Sequence, residues 1–310
     1  MWILFAYGSA FFAGITAIIA KKGIKNVDSN VATAVRTIVI LIFSWLMVFI
    51  VGSQNTIGTI QSKTLLFLIL SGFATGASWL CYFRALQLGD VTKVTPIDKS
   101  STIMTMILAL IILGESITVL KIISMIAIGL GTYLMIQQKP AGQKSTEEKS
   151  AEQKPGEKKF KENHEIKLNK KNSWFFYAML SAVFASLTSV LGKIGIQDIE
   201  SNLGTAIRTV VVLIMAWLVV FAFRKQKEVR SIDKSSAIYL CLSGLTTGLS
   251  WLCYYKALQK GDASIVVPID KLSILVTVLF SYIFLKEGIR KIAVLGLLIL
   301  VGGTLLLLVK

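Results

Sequence analysis

Histidine and cysteine are scarce in this sequence. Its 310 residues include one histidine, His164, and three cysteines that form no CxxC or CxxH pattern. A histidine triad or histidine metal cluster is therefore excluded, and the cysteine spacing predicts neither a disulfide framework nor a zinc site. The sequence also contains no glycine-rich phosphate loop and no recognisable nucleophile–base motif. We therefore expect neither an enzyme nor a bound cofactor.

Acidic residues are scarce as well: 17 Asp and Glu compare with 33 Lys and Arg, which gives a net charge of +16. In a soluble protein such a charge would suggest nucleic-acid binding. Here 54% of the residues are hydrophobic and the mean hydropathy is +0.70, which is typical of a membrane protein. The basic residues lie mostly in short loops and one linker. We therefore expect the chain to contact a lipid bilayer and no nucleic acid.

The chain contains the same sequence twice. Aligning the two halves at an offset of 172 residues requires no gap from residue 2 onward and superposes Trp2 on Trp174. About 40% of the paired positions are identical, and the run from Pro96 to Lys99 coincides with the run from Pro268 to Lys271. Self-similarity over such a length indicates a duplicated structural unit.

Each half contains five apolar stretches of about 20 residues, the length that crosses a bilayer core as a helix. The predicted spans lie near 2–20, 31–51, 64–86, 92–113 and 118–137, and near 174–192, 203–223, 236–258, 264–285 and 290–309. We divide the chain into a first five-helix repeat at 1–138, a charged linker at 139–172 and a second five-helix repeat at 173–310. The linker is rich in Lys, Glu, Gln and Ser, and such a composition predicts a disordered tether.

The odd number of spans determines how the two repeats are oriented. The linker is too polar to cross the bilayer, so span five ends and span six begins on the same side of the membrane. Two homologous five-span units joined in this way must be inserted upside down relative to each other. The sequence thus predicts an all-α membrane protein with ten transmembrane helices arranged as two inverted five-helix repeats.

The charges of the loops predict the absolute orientation. Equivalent loops of the two halves differ in their number of Lys and Arg residues, and the three cation-rich loops all lie on the linker's side of the inverted arrangement. The positive-inside rule places that side in the cytoplasm. We therefore expect a multi-pass protein of the cytoplasmic (inner) membrane, with a cytoplasmic linker and external termini.

Charged residues inside the predicted spans are the first candidates for a functional site, because each costs at least ~2.5 kcal/mol at mid-bilayer. Two equivalent sets should flank a cavity between the halves, namely Arg36, Asp98 and Lys99 in the first repeat and Arg208, Asp270 and Lys271 in the second. An aspartate there could exchange a proton, and the surplus Arg and Lys could hold an anionic group. The alternative is an Arg–Asp–Lys network that only joins helices.

Other repeated residues extend this candidate site. Trp79 and Trp251 would form an aromatic wall, within small-residue stretches that otherwise serve close helix packing. Pro96 and Pro268 would break a helix and free a carbonyl group near the cavity, or they would occupy a first helical turn without consequence. We expect Glu115, which follows span four, to be an interfacial cap before the next helix.

Several of these features resemble one known family. The two five-span units, the Ala85–Asp90 approach to span four, the Gly114-Glu115 pair and the glycines of span five resemble the EamA-like family of the drug/metabolite transporter superfamily. The Pro-Ile-Asp-Lys run is similar to that of small single-repeat members, so the chain resembles a fused pair of them. The second half departs from the family pattern at Lys286, where the first half has glycine. The resemblance implies a ten-helix inverted-repeat fold and secondary transport of small metabolites.

We therefore expect a secondary active transporter of small metabolites or drugs that works by alternating access and is coupled to protons or to exchange. Its partners would be a small-molecule substrate and the bilayer, and it could also form a homodimer. Two alternatives stay open from the sequence. One is a lipid-linked carrier or flippase, and the other is a non-transporting sensor or assembly protein that docks through the basic linker.

Overall fold

A computed structural model describes residues 1–23, 27–88, 97, 100–136, 164–285 and 291–309. Within these ranges the secondary structure is helical and contains no strand. Three predicted site residues, Pro96, Asp98 and Lys99, lie outside the described residues, and so does most of the predicted linker.

The helices are numbered here in chain order. The first half contains α1 (Trp2–Gly23), α2 (Ser29–Val51), α3 (Ser62–Leu88), α4 (Ser101–Ile112) and α5 (Val119–Ile136). The second half contains α6 (His164–Gly195), α7 (Ser201–Ala222), α8 (Lys234–Lys260), α9 (Ala263–Lys271), α10 (Ser273–Leu285) and α11 (Lys291–Leu306). A 3-10 helix follows α2 at Ser53–Thr59, and another follows α7 at Gln226–Ser231. Helix α6 includes the last residues that we assigned to the linker.

The described helices are those of a multi-pass membrane protein. Seven segments are long and apolar enough to cross a bilayer: Trp2–Ala20, Ser29–Val51, Ser62–Tyr82, Ser173–Gly195, Ser201–Ala222, Lys234–Lys260 and Ala263–Phe280. Three more apolar helices are shorter: Ser101–Ile112, Val119–Met135 and Lys291–Leu306. The all-helical membrane class is therefore confirmed, whereas the count of ten spans stays a prediction.

The two halves begin their second helices with equivalent caps. The Asp28 carboxylate accepts hydrogen bonds from the backbone N–H groups of Asn30 and Val31 at the start of α2. Glu200, the residue that aligns with Asp28, accepts the same two kinds of bond at the start of α7. A carboxylate at this position satisfies free backbone donors and interacts favourably with the helix dipole. Both helix boundaries are therefore encoded locally, and once in each repeat.

The ninth predicted span, 264–285, is interrupted, and the interruption is not at the proline. Pro268 lies inside α9 beyond its first turn, and the helix continues through it. The helix ends after Lys271, where the N–H of Leu272 bonds to the carbonyl of Ile269 at 3.0 Å. This is the tighter 3-10 pattern that often closes an α-helix. Pro268 therefore lies in the interior of α9 and not in its first turn, and its predicted role in freeing a carbonyl group near the cavity stays a prediction.

Helices of one half pack against helices of the other, and the contacts recur in pairs. Helix α1 packs against α8, and α6 packs against α3. The hydroxyl oxygens of Ser9 and Ser250 lie 3.2 Å apart at the first contact. Those of Ser78 and Ser181, which align with Ser250 and Ser9, also lie 3.2 Å apart at the second contact. The same pair of residues thus joins the halves twice.

Glycine permits the closest of these contacts. Helices α5 and α11 pack against each other, and a Cβ atom placed on Gly131 would lie 2.6 Å from the carbonyl oxygen of Gly296. A Cβ atom on Gly72 would meet Val211, and one on Gly244 would meet Val39, the residue that aligns with Val211. The small residues therefore provide the close helix packing that the sequence indicated.

One side of the bundle gathers the start of α1, α3, α7 and α9 and the end of α6 and α8. A Cβ atom on Gly261 would lie 2.7 Å from the ring of Trp2, and Gln259 Nε2 donates hydrogen bonds of 2.6 Å to the carbonyls of Ile196 and Ile199. We call this side the N-terminal face.

Candidate functional site

A cavity of about 300 Å³ lies between the two halves of the chain. Helices α1 and α3 from the first half and α6, α7, α8 and α9 from the second contribute its walls. Its lining residues include Ser9, Thr75, Trp79, Ser189, Arg208, Trp251, Tyr254, Tyr255, Asp270 and Lys271. Five of the predicted site residues are therefore brought together here: Arg208, Asp270, Lys271, Trp79 and Trp251.

Arg208 is the central charged residue of the cavity, and it is 2% exposed. Its Nε donates a hydrogen bond of 2.9 Å to Ser71 Oγ, and its Nη2 donates one of 2.5 Å to Thr75 Oγ1. The guanidinium carbon lies 4.7 Å from the ring centroid of Tyr255 and 5.2 Å from that of Trp251. Its Nη1 is buried without a hydrogen-bond partner among the described residues. An arginine held in this way keeps unused donor capacity.

Asp270 and Lys271 end α9 at the cavity wall. The Asp270 carboxylate accepts a hydrogen bond of 2.5 Å from Ser9 Oγ, and its other oxygen lies 4.0 Å from Lys271 Nζ. Among the described residues, no ion pair joins Arg208 to Asp270. The closed Arg–Asp–Lys network considered from the sequence is therefore absent in this half, because Arg208 bonds to hydroxyl groups of α3.

The sequence pattern did not identify several of the lining residues. Tyr254 and Tyr255 contact each other edge to face, with ring centroids 5.2 Å apart, and the Tyr254 hydroxyl donates a hydrogen bond of 2.8 Å to Ser189. Buried tyrosines normally find such a partner for their hydroxyl. The available signal was the aromatic pair Tyr82-Phe83 at the aligned position of the first repeat.

Arg36 occupies the aligned position of Arg208 but does not line this cavity. Its Nη2 donates a hydrogen bond of 2.8 Å to Thr247 Oγ1, and Thr247 aligns with Thr75, the partner of Arg208. Its Nε is buried without a partner among the described residues. The two arginines thus make the same bond to the opposite repeat. The remaining members of the first predicted cluster, Asp98 and Lys99, lie outside the described residues.

Glu115 makes a contact that the sequence did not suggest. The loop after α4 carries this residue to the start of α9, in the other repeat. Its carboxylate accepts hydrogen bonds from the backbone N–H groups of Ala263 at 2.6 Å and Ser264 at 3.0 Å, and also from the Ser264 hydroxyl. The expectation that Glu115 caps the next helix is therefore wrong. That role belongs to Thr118, whose Oγ1 accepts from the N–H of Lys121 in α5.

Two lysines complete the surroundings of Glu115. Lys193 Nζ lies 3.2 Å from the Glu115 carboxylate and donates a hydrogen bond of 2.7 Å to the carbonyl of Gly261. Lys121 Nζ lies 4.0 Å from Glu115 and 3.4 Å from Asp262. Burial alone would raise the pKa of the Glu115 carboxyl, but the hydrogen bonds from Ser264 and Ala263 and the charge of Lys193 outweigh it. The pKa of Glu115 is therefore lower than its usual value of 4.5.

Comparisons with known proteins agree with this architecture. The sequence profile of the EamA-like transporter family matches the chain twice, at residues 1–137 and 172–309. An uncharacterized transporter encoded in the cobO 3' region of a Sinorhizobium species is 44% identical over 135 residues, which cover 44% of this chain and 96% of that protein. This relative therefore corresponds in length to a single repeat. An uncharacterized protein of Methanocaldococcus jannaschii is 34% identical over 83 residues, which cover 27% of this chain and 61% of that protein.

A solved structure has the same fold. This crystal structure of a protein superposes with a TM-score of 0.74 at 12% sequence identity. The superposition covers 99% of this chain and 96% of the other. At this level of identity the similarity concerns the fold alone.

Proposed function

Because this chain belongs to the EamA-like transporter family, we propose that it is a secondary active transporter of small metabolites or drugs. It carries its substrate across the cytoplasmic membrane by alternating access and is coupled to protons or to exchange. The observation that carries this proposal is the position of Arg208, a buried and incompletely bonded cation in the wall of the cavity between the halves.

A guanidinium group buried at this depth is a functional candidate by default, because charges inside a membrane protein are costly. Arg208 is neutralised by no carboxylate among the described residues, and it contacts hydroxyl groups and aromatic faces instead. A substrate with an anionic or strongly accepting group would bind to such a cation through charge-assisted hydrogen bonds. Trp79 and Trp251 in the same wall would pack against the apolar part of the substrate.

Asp270 is the proposed coupling residue, together with Asp98 at the aligned position. The carboxylate of Asp270 lies in the cavity wall, within reach of Ser9 and Lys271. A carboxylate there can bind a proton, or a cationic group of the substrate, in one state of the transport cycle and release it in another. Lys271, Lys99 and Arg36 would set the charge preference around the two aspartates.

Alternating access requires two halves that move against each other, and the proposed arrangement is ten helices in two inverted repeats. The paired contacts of Ser9 with Ser250 and of Ser181 with Ser78 support it, as do the bonds of Arg36 and Arg208 to aligned threonines. The loop charges support a cytoplasmic linker and external termini. The chain could act alone or as a homodimer.

A thermal-shift screen of the purified protein tests this proposal. The panel contains amino acids, nucleosides, sugar phosphates, organic anions and lipophilic cations, and each is tested on wild type and on the Asp98→Asn/Asp270→Asn variant. A ligand that binds only the folded protein raises its stability. We expect one class to stabilise wild type and not the variant, and flux of that class into proteoliposomes then confirms transport. If no soluble class shifts the melting temperature of well-folded protein, a lipid-linked carrier or a sensor replaces the transporter.

A further inference from the structure

The apolar core on the N-terminal face lies between the cavity and the ends of the helices. The largest cluster of buried side chains among the described residues contains Ala6 of α1, Leu68 of α3, Ile196 after α6, Leu258 of α8 and Ile269 of α9, with Trp2 packed against it. In α3, α8 and α9 these residues are nearer to the N-terminal face than the cavity residues of the same helix. These five residues therefore lie between the cavity and the N-terminal face, and together with Trp2 we call them the plug.

Helix α9 connects the plug to the cavity. Its first residues, from Ala263 to Ile269, belong largely to the same buried cluster as the plug, and its last residues, Asp270 and Lys271, line the cavity. Any movement that opens the plug at α9 also displaces Asp270. The contact that holds the start of α9 therefore affects, through the helix, the position of Asp270, a proposed coupling residue.

Glu115 is that contact, and it comes from the opposite repeat. Its side chain is 5% exposed, and it satisfies the free N–H groups of Ala263 and Ser264 while it pairs with Lys193 at the end of α6. An acidic cap that is also ion-paired is a favourable way to hold a helix start. Because the cap and the helix belong to different repeats, the cap joins the two repeats on the N-terminal face.

We propose that Glu115 is a cross-repeat latch that keeps the N-terminal face closed by holding α9 against the plug. This inference rests on the proposed alternating access. Glu115 is a positioning residue, since it does not line the cavity and acts on Asp270 and Lys271 only through α9. In the open state the carboxylate would leave the start of α9, and Lys193 would keep only its bond to the Gly261 carbonyl.

The experiment measures access to the cavity from each face. Cys81, Cys241 and Cys253 are replaced by serine or alanine, and Ser189→Cys places one thiol in the cavity wall. The protein is reconstituted in vesicles of known orientation and exposed to a membrane-impermeant maleimide. We expect Glu115→Gln to raise the labelling rate from the N-terminal face about tenfold, which is the effect of ~1.4 kcal/mol on an equilibrium. Glu115→Asp should restore part of the protection.

A matched control removes a carboxylate from a pair that does not hold α9. Glu228, in the 3-10 helix after α7, pairs with Lys225 three residues earlier, and both side chains are 39% exposed. Glu228→Gln should therefore leave labelling from the N-terminal face at the wild-type rate. Equal labelling in Glu115→Gln and wild type would overturn the latch, and so would an equal increase in Glu228→Gln.

A second measurement does not depend on the folding of Glu115→Gln. The variant with Glu115→Cys and Ser264→Cys, in the same cysteine-free background with Ser189→Cys omitted, is joined by a short bifunctional thiol reagent. Transport should stop when the loop and α9 are linked and should return when the link is reduced. Transport that continues unchanged through the linked protein would overturn the latch.

The outcomes separate this inference from the proposed function. If wild type transports a substrate but Glu115→Gln does not alter labelling, alternating access stands and the latch does not. If Glu115→Gln opens the N-terminal face but wild type transports no member of the substrate panel, the latch stands and the proposed transport function fails.

Discussion

The carboxylate of Asp270 and the hydroxyl of Ser9 form a hydrogen bond of 2.5 Å across the interface between the two halves. Ser9 also lies 3.2 Å from Ser250, which continues the contact into α8. The proposed coupling aspartate is thus held by the repeat to which it does not belong. Movement of one repeat against the other changes the surroundings of this carboxylate, as a coupled transporter requires.

Asp270→Asn should abolish transport while the protein stays folded. The side-chain amide keeps an oxygen that accepts from Ser9, so the free energy of unfolding should change by less than about 1 kcal/mol. Asp98→Asn tests the aligned position in the same way. The measurements are substrate flux in proteoliposomes and the melting temperature. Glu228→Gln is the control, because Glu228 pairs with Lys225 and is 39% exposed. Flux at the wild-type rate in Asp270→Asn would rule out the coupling role.

Arg208→Lys should remove ligand-induced stabilisation. A lysine carries the same charge, but a single ammonium group cannot donate to Ser71 and Thr75 together and also stack on two aromatic rings. We expect the affinity for the stabilising ligand to fall about tenfold or more, measured by the concentration dependence of the thermal shift. Arg36→Lys is the matched control, because Arg36 makes the aligned bond but does not line the cavity. An equal loss in both variants would place the ligand elsewhere.

Gly131→Ala should destabilise the contact between α5 and α11. The new methyl group would lie 2.6 Å from both the Gly296 carbonyl oxygen and the Leu300 nitrogen, and backbone atoms cannot move aside as a side chain can. We expect a loss of about 1–3 kcal/mol in the free energy of unfolding. A methyl group on Gly302, which lies in α11, meets nothing within 4 Å, so Gly302→Ala should be neutral or stabilising by up to ~1 kcal/mol. A denaturation midpoint for each variant in detergent distinguishes the two cases.

The stability of the protein should depend on Glu115 at acid pH. The pKa of Glu115 is lower in the folded protein than its usual value of 4.5. Its contribution is therefore present above that value and is lost as the pH falls through the lower folded pKa. The other charged groups around it are Lys193, Lys121 and Asp262, and lysines stay charged in acid.

Melting temperatures of wild type and Glu115→Gln between pH 7 and about pH 3 test this dependence. Wild type should lose more stability over this range, and Glu115→Gln should show a shallower decline. The difference should amount to about 1 kcal/mol. The same measurement on Asp262→Asn shows how much of the loss of stability in acid is due to the neighbouring carboxylate. Parallel curves for wild type and Glu115→Gln would contradict the assignment of this pH dependence to Glu115.

Replacing residues 140–163, the part of the predicted linker that precedes α6, with a neutral spacer of equal length should preserve transport. A tether must only be long enough to connect the two repeats, and a flexible polar chain of any composition meets that requirement. A sensor or assembly protein that docks through its basic linker would lose function in the same variant. A cysteine in the tether should also be shielded from impermeant thiol reagents in intact cells. Labelling from outside would reverse the predicted orientation.

The sequence alone determined the membrane class, the duplication and the five charged or aromatic residues that meet in the cavity. Hydrophobic length, net charge and self-similarity can be read from the order of the residues, and the thickness of the bilayer sets the length of an apolar span. The resemblance to the EamA-like family followed from motifs in both repeats, and the family profile matches both. Arg208, Asp270 and Lys271 could be singled out because a charge in an apolar span is conspicuous.

The tertiary structure alone decided which helix faces meet. The reach of Glu115 to α9, the bonds of Arg208 to Ser71 and Thr75, and the tyrosines of the cavity wall all join elements that are distant in the chain. Membrane helices are apolar toward lipid as well as toward protein, and many large apolar side chains here remain exposed on the bundle surface. Hydrophobic periodicity therefore does not encode the rotation of each helix about its own axis. The packing of small residues and the polar bonds between helices establish that rotation.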